Sequence, residues 1–208
     1  MKHLIHIGCL ERQRELMRFL LLQTALVRGR IKPGEVFTLN RCYSAKFHAH
    51  TPTGICVHQD ILLQKLGLSY RVLRNRECDS LVLFYDMEML KNVLENLAIR
   101  QYLYRNGYSH CVTLDSFLLH LQERFSEVDF PHEIGLFLGY PLKDVIGFVS
   151  VRSRLTHQGS WRVYGKLEPS LTLMNRFREA RRMAEFIIDQ HDDWDTCAQK
   201  ISLLKFLI

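Results

Sequence analysis

The chain lacks the long apolar stretch that a membrane-spanning helix needs. That length is about 20 residues, whereas the longest apolar runs, such as Phe19–Leu22 and Leu81–Tyr85, break off after a few residues. The opening Met1–Arg12 carries only a brief apolar patch, with no small-residue cleavage site, so no export signal is expected and the cytoplasm is the default location. Six cysteines are scattered and none forms C-x-x-C, which points to free thiols in a reducing compartment. Repeats and low-complexity tracts do not stand out, and no linker forces a boundary. Nothing resembles a phosphate-cradling glycine loop, a nucleophile elbow or a paired-carboxylate site. These absences rank binding above catalysis.

What is present is an ordinary globular composition: 208 residues with a hydrophobic fraction of 47%. One domain over residues 1–208 is expected. The net charge of +6 is unevenly spread. Arg152–Arg182 holds eight Lys/Arg against two Glu, or +6, while Glu77–Val145 holds five against eleven Asp/Glu, or −6. A basic segment of this kind attracts polyanions or acidic proteins.

Periodicity predicts the elements. Leu16, Phe19, Leu20, Gln23, Leu26 and Val27 give helical spacing over about Glu11–Val27, ended by Gly29 and the Lys32-Pro33-Gly34 turn. Alternation predicts strands over Glu35–Arg41 and Leu68–Arg74, and a continuous apolar run predicts a buried strand over Ser80–Tyr85. A short helix is expected over Val57–Leu66. Asp86 is a suitable N-cap for a long helix to Asn106, with Gly107 as its left-handed stop. Further helices are expected over Leu114–Phe125, Pro131–Leu138, Pro141–Arg152, Leu171–Asp189 and Trp194–Phe206, with a short strand over Trp161–Tyr164. Strands gather early and helices late, so the expected class is α+β: a small antiparallel sheet from the N-terminal half covered by helices.

Phe130–Val149 reads F-P-H-E-I-G-L-F-L-G-Y-P-L-K-D-V-I-G-F-V, and Gly159–Gly165 reads G-S-W-R-V-Y-G. These two blocks resemble an uncharacterised bacterial family, domain-of-unknown-function family 3793, which shares F-P-H-E-I-G-x-F-L-G-Y-P-x-x-D-V-x-G-F followed by G-x-W-x-V-Y-G. Gly29–Pro33 is similar to the family's G-I-K-P turn with one extra residue. The family often has a cysteine shortly before the tryptophan. Here none lies between Cys111 and Cys197, which weakens a metal or redox role at that position. The resemblance implies no assigned reaction or cofactor. For partners it implies an acidic redox protein such as a flavodoxin.

Several constellations could carry chemistry. His132 and Glu133 are adjacent and could form an acid–base pair, although neighbours on a helix point about 100° apart. The position four after His132 is Leu136, so H-E-x-x-H is absent. Pro131–Arg154 mimics a helix-turn-helix phrase, but its second helix offers Leu142, Lys143, Asp144, Ile146 and Gly147, a poor surface for reading bases, with Arg152 and Arg154 left for phosphates. His48, His50, Cys56 and His58 are zinc-ligand types in an irregular segment, and His3, His6 and Cys9 form a weaker set. Arg178, Arg181 and Arg182 lie at helical spacing, with Trp161, Arg162, Tyr164 and Lys166 nearby in sequence. Guanidinium groups grip carboxylates or phosphates, and flat aromatics stack on rings. The competing expectation is a salt-bridged surface in which Arg181 reaches Glu185. The preferred expectation is a non-catalytic accessory protein that engages an acidic protein or other anionic partner through this basic C-terminal face. Nucleic-acid binding through the two-helix corner stands second, and a small His/Glu- or metal-dependent enzyme third.

Overall fold

The computed structural model describes residues 2–40, 67–76, 79–150 and 152–206. The expected helix over Val57–Leu66 and the candidate ligands His48, His50, Cys56 and His58 lie outside the described residues, as do the side chains of His3, His6 and Cys9.

Strand β3 (Asp79–Tyr85) runs between β1 (Gly34–Asn40) and β2 (Ser69–Asn75), antiparallel to both. The registers place Gly34 opposite Tyr85 on one side and Ser69 opposite Tyr85 on the other, with an irregularity in β2 between Val72 and Arg74. The continuous apolar run of β3 has a direct cause, because both faces of the sheet are covered. Val82 and Phe84 point to α1 (Lys2–Arg28), where Leu20 meets them. Leu81, Leu83 and Tyr85 point the other way, into a cluster with Leu90, Phe117, Leu121 and Phe137.

The second layer is a string of helices: α2 (Met87–Glu95), α3 (Leu97–Leu103), α4 (Leu114–Glu127), α5 (Ile134–Phe137) and α6 (Leu142–Val149). Side-chain caps set the starts of the first three. Asp86 Oδ1 accepts from Met89 N at 2.8 Å, and Thr113 and Ser116 form a reciprocal capping box. The single long helix expected from Asp86 to Asn106 is broken at Asn96. Its extended backbone closes α2, while its Oδ1 accepts from Ala98 N and Ile99 N at 3.1 and 3.2 Å to open α3. A wide turn over Tyr104–Tyr108 follows, and Gly107 takes the expected left-handed conformation (φ 101°).

A hairpin of β4 (Leu155–Gln158) and β5 (Arg162–Tyr164) packs on α6. The chain then enters α7 (Glu168–Gln190) and α8 (Trp194–Ser202), which close against α1 through Leu21, Ala25, Ala180, Ala184 and Ile201. The class is α+β. Among the described residues no helix is long and apolar enough to cross a membrane.

Candidate functional site

The two blocks singled out in the sequence meet around one carboxylate. Asp144, in the first turn of α6, is 2% exposed. Its Oδ1 accepts from Lys143 Nζ at 2.7 Å and from Tyr164 N at 2.9 Å. Its Oδ2 accepts from Trp161 Nε1 at 2.9 Å and Ser170 Oγ at 2.6 Å. Burial works against the charge, yet these hydrogen bonds together outweigh it and hold the carboxyl below its ordinary value. Gly147 lies one turn further along α6, under the Tyr164 ring. A Cβ there would come within 2.3 Å of that ring, so only glycine lets α6 sit this close to β5. Trp161 also stacks on Tyr140, with centroids 4.7 Å apart and planes at 18°.

Tyr140 joins this cluster to a second buried charge. Lys32 is 4% exposed, and its Nζ lies 2.9 Å from Glu35 Oε2 and 5.3 Å and 5.6 Å from the centroids of the Tyr140 and Phe177 rings. Burial is the main force on Lys32 and lowers its pKa, opposed by Glu35. Burial, reinforced by Glu35, pushes the Tyr140 hydroxyl up to about 12. Arg181 reaches over from α7 to Glu35 at 3.8 Å. The competing, salt-bridged expectation paired Arg181 with Glu185. The structure gives it Glu35 instead, because the Arg181 side of α7 faces β1.

The family model described as protein of unknown function, DUF3793, matches residues 20–196, most of the chain. The chain belongs to that family. No curated protein and no solved structure gives a significant match. In this DUF3793 member the two recognisable blocks thus form one packed unit, with Asp144 of the first holding Trp161 and Tyr164 of the second.

That packing changes the part the aromatics play. Trp161 and Tyr164 are each only 9% exposed, so they support the surface rather than offer an open stacking platform. The basic residues also differ in whether they have acidic partners. Arg181 and Arg182 are paired, with Glu35 and with Glu179 at 3.4 Å. Arg176 and Arg178 are exposed and flank the packed Phe177 on opposite sides of α7. Arg152, Arg154, Arg162 and Lys166 surround the hairpin, exposed and with no ion pair among the described residues. Elsewhere many arginines are neutralised, as in Arg30 with Glu88, Arg71 with Asp115, Arg74 with Asp129 and Arg124 with Glu133.

The hairpin surface has an apolar component too. Ile146, Phe148, Val149 and Leu155 are 42–48% exposed. The Arg162 guanidinium lies 5.6 Å from the Phe148 ring centroid and ties hairpin to helix. A shallow groove of about 560 Å³ opens alongside, lined by Ser153, Arg154, Leu155, Thr156, Tyr164 and Gly165.

His132 and Glu133 are not brought together. His132 is exposed, edge-on to Phe148 with centroids 4.9 Å apart. Glu133 is buried, accepting from Arg124 Nε at 2.9 Å and Tyr108 Oη at 3.4 Å. The two-helix corner exists, but α5 is a single turn, and α6 directs Asp144, Val145 and Gly147 inward. Its outward residues Ile146, Phe148 and Val149 are apolar and do not suit base edges. Among the described residues no group of three or more His, Cys, Asp or Glu side chains is placed to hold a metal ion.

Sequence reasoning missed Lys32, Glu35, Asp144 and Ser170 as the organising polar groups. The one available signal was a charged pair, Lys143 and Asp144, inside an otherwise apolar helical block.

Proposed function

We propose that this protein is a non-catalytic accessory protein of the cytoplasm that docks an acidic protein on its β4–β5 hairpin surface. One observation carries the reading: the hairpin cations Arg152, Arg154, Arg162 and Lys166 lack acidic partners among the described residues, and exposed Ile146, Phe148 and Val149 stand beside them. An apolar patch rimmed by arginine is the composition of a protein–protein contact, since guanidinium groups grip carboxylates with two hydrogen bonds while apolar area supplies the driving force. A nucleic-acid surface is more polar and more uniformly basic. An acidic redox protein of the flavodoxin kind is a partner with matching chemistry. The buried free thiols of Cys111 and Cys197 favour a reducing compartment.

The test is a binding titration with a purified flavodoxin, and in parallel with random duplex DNA, at low and high salt. The expected result is a salt-sensitive complex with the acidic protein, weakened at least about tenfold by Arg154→Glu with Arg162→Glu and also by Phe148→Ala. Binding of the flavodoxin unaffected by all three changes rejects the surface. Binding of the duplex alone, with a salt slope that counts phosphates, replaces the reading with nucleic-acid recognition.

A further inference from the structure

A second cavity, remote in sequence from the hairpin, lies where α1 meets the turn between α7 and α8. It measures about 280 Å³, near the small end of ligand pockets. Arg14, Met17, Arg18 and Leu21 line it from one stripe of α1, at positions i, i+3, i+4 and i+7. Ile188, His191, Trp194 and Cys197 close it from the other side.

The lining divides by chemistry. Met17, Leu21, Ile188 and Cys197 make an apolar floor. Cys197 belongs with the floor: it is buried, its thiol donates to His191 O at 3.4 Å, and burial pushes its pKa up, so it stays protonated. Three residues that carry hydrogen-bond donors line the cavity beside that floor: Arg14, His191 and Trp194. None has a hydrogen-bond or ion-pair partner among the described residues. Arg18 differs, because Asp189 and the Ile188 carbonyl hold it. Asp192 is the one acid among the lining residues, and it is exposed. Several unengaged donors around an apolar floor are what a ligand site requires: the floor takes the body, and the donors fix an acceptor-rich head. The guanidinium selects an anion, and a planar carboxylate fits its fork.

We propose that this cavity binds a small carboxylic acid with an apolar body, a short chain or a single ring. Arg14 holds the carboxylate, and Trp194 Nε1 and His191 supply further hydrogen bonds. Asp192 opposes the charge and limits the affinity.

The chain carries its own reporters, since it has two tryptophans. The Trp161 indole N–H is committed to Asp144, whereas that of Trp194, a residue lining the cavity, has no partner among the described residues. The experiment follows both indole N–H resonances of ¹⁵N-labelled protein, assigned with Trp194→Phe, during titration with hexanoate, benzoate and, as a neutral control, hexanol. The expected result is a saturable shift of the Trp194 resonance with at least one acid in the millimolar range, with Trp161 unmoved and hexanol weaker by at least about tenfold. Arg14→Glu should weaken binding at least about tenfold, and Asp192→Asn should tighten it. Both residues are exposed, and an unchanged Trp161 resonance verifies that each variant is folded. No shift with either acid overturns the proposal. So does an equal response to hexanol, or unaltered binding by Arg14→Glu.

Discussion

Replacing Asp144 with alanine strips four donors of their acceptor at once. One of them has ready alternatives: Lys143 Nζ keeps the Tyr164 carbonyl at 3.0 Å and the Ser170 hydroxyl oxygen at 2.8 Å, and it can reach water. The other three, Tyr164 N, Trp161 Nε1 and the Ser170 hydroxyl, belong to buried residues and lose this acceptor. An orphaned buried donor costs about 1–3 kcal/mol, and three are left here. Asp144→Ala should therefore lose about 4 kcal/mol, or about 8–16 °C in Tm for a chain of this size. Asp144→Asn keeps the shape and one acceptor oxygen but turns an NH₂ toward other donors, so it should fall between alanine and the wild type. The pH dependence isolates the charge. Because the folded carboxyl sits below its unfolded value of about 3.9, its contribution is complete above that value and fades as pH falls through the lowered one. Urea unfolding followed by tryptophan fluorescence should show a wild-type advantage over Asp144→Asn that is level near neutrality and shrinks in acid. A loss below about 1 kcal/mol for Asp144→Ala would refute the idea that this carboxylate holds α6, the hairpin and α7 together.

Four further outcomes are expected. Gly147→Ala places a methyl within 2.3–2.7 Å of Tyr164 atoms and should cost about 1–3 kcal/mol, read as a lower urea midpoint. Asn96→Ala removes the cap between α2 and α3 and should cost about 1 kcal/mol, with faster amide hydrogen exchange at Ala98 and Ile99. Lys32→Met should cost about 1–2 kcal/mol, less than a broken buried pair usually does, because Arg181 still faces Glu35. Folding lowers the Lys32 pKa, so the unfolded chain binds more protons between that lowered value and about 10.4, and wild-type stability should rise with pH through that window while the variant lacks the rise. His132→Ala should stay within about 0.5 kcal/mol of wild type while Glu133→Ala loses about 2–3 kcal/mol in the same unfolding assay.

The sheet was readable from sequence because its cause is local. Alternation marked β1 and β2, and unbroken apolarity marked the doubly covered β3. Asp86 and Gly107 were readable as helix punctuation for the same reason. Asn96 was not, because one side chain that both ends and restarts a helix leaves the apolar rhythm almost undisturbed. Strand β4 escaped because it is exposed along its whole length and is held by its pairing with β5, so no alternation records it. Pro131 and Pro141 do precede helices, but α5 is one turn, starting at Ile134, and α6 ends at Val149 short of Arg152. The candidate surface was legible in charge but not in geometry. A count of arginines says nothing of which ones face an acid, and aromatic letters in a basic segment do not reveal that Trp161 and Tyr164 turn inward to a carboxylate many residues away.

Helix α1 finds its mates at the far end of the polypeptide: Arg28 Nε donates to Ala198 O at 2.9 Å across a separation of 170 residues. A ribosome adding about 5–20 residues per second needs roughly 10–30 s to cross that interval. Throughout it the oily stripe of Leu21, Ala25 and Leu26 has no permanent cover. Nascent chains halted before α7 would emerge sticky, which makes early truncation products natural clients for chaperones and proteases.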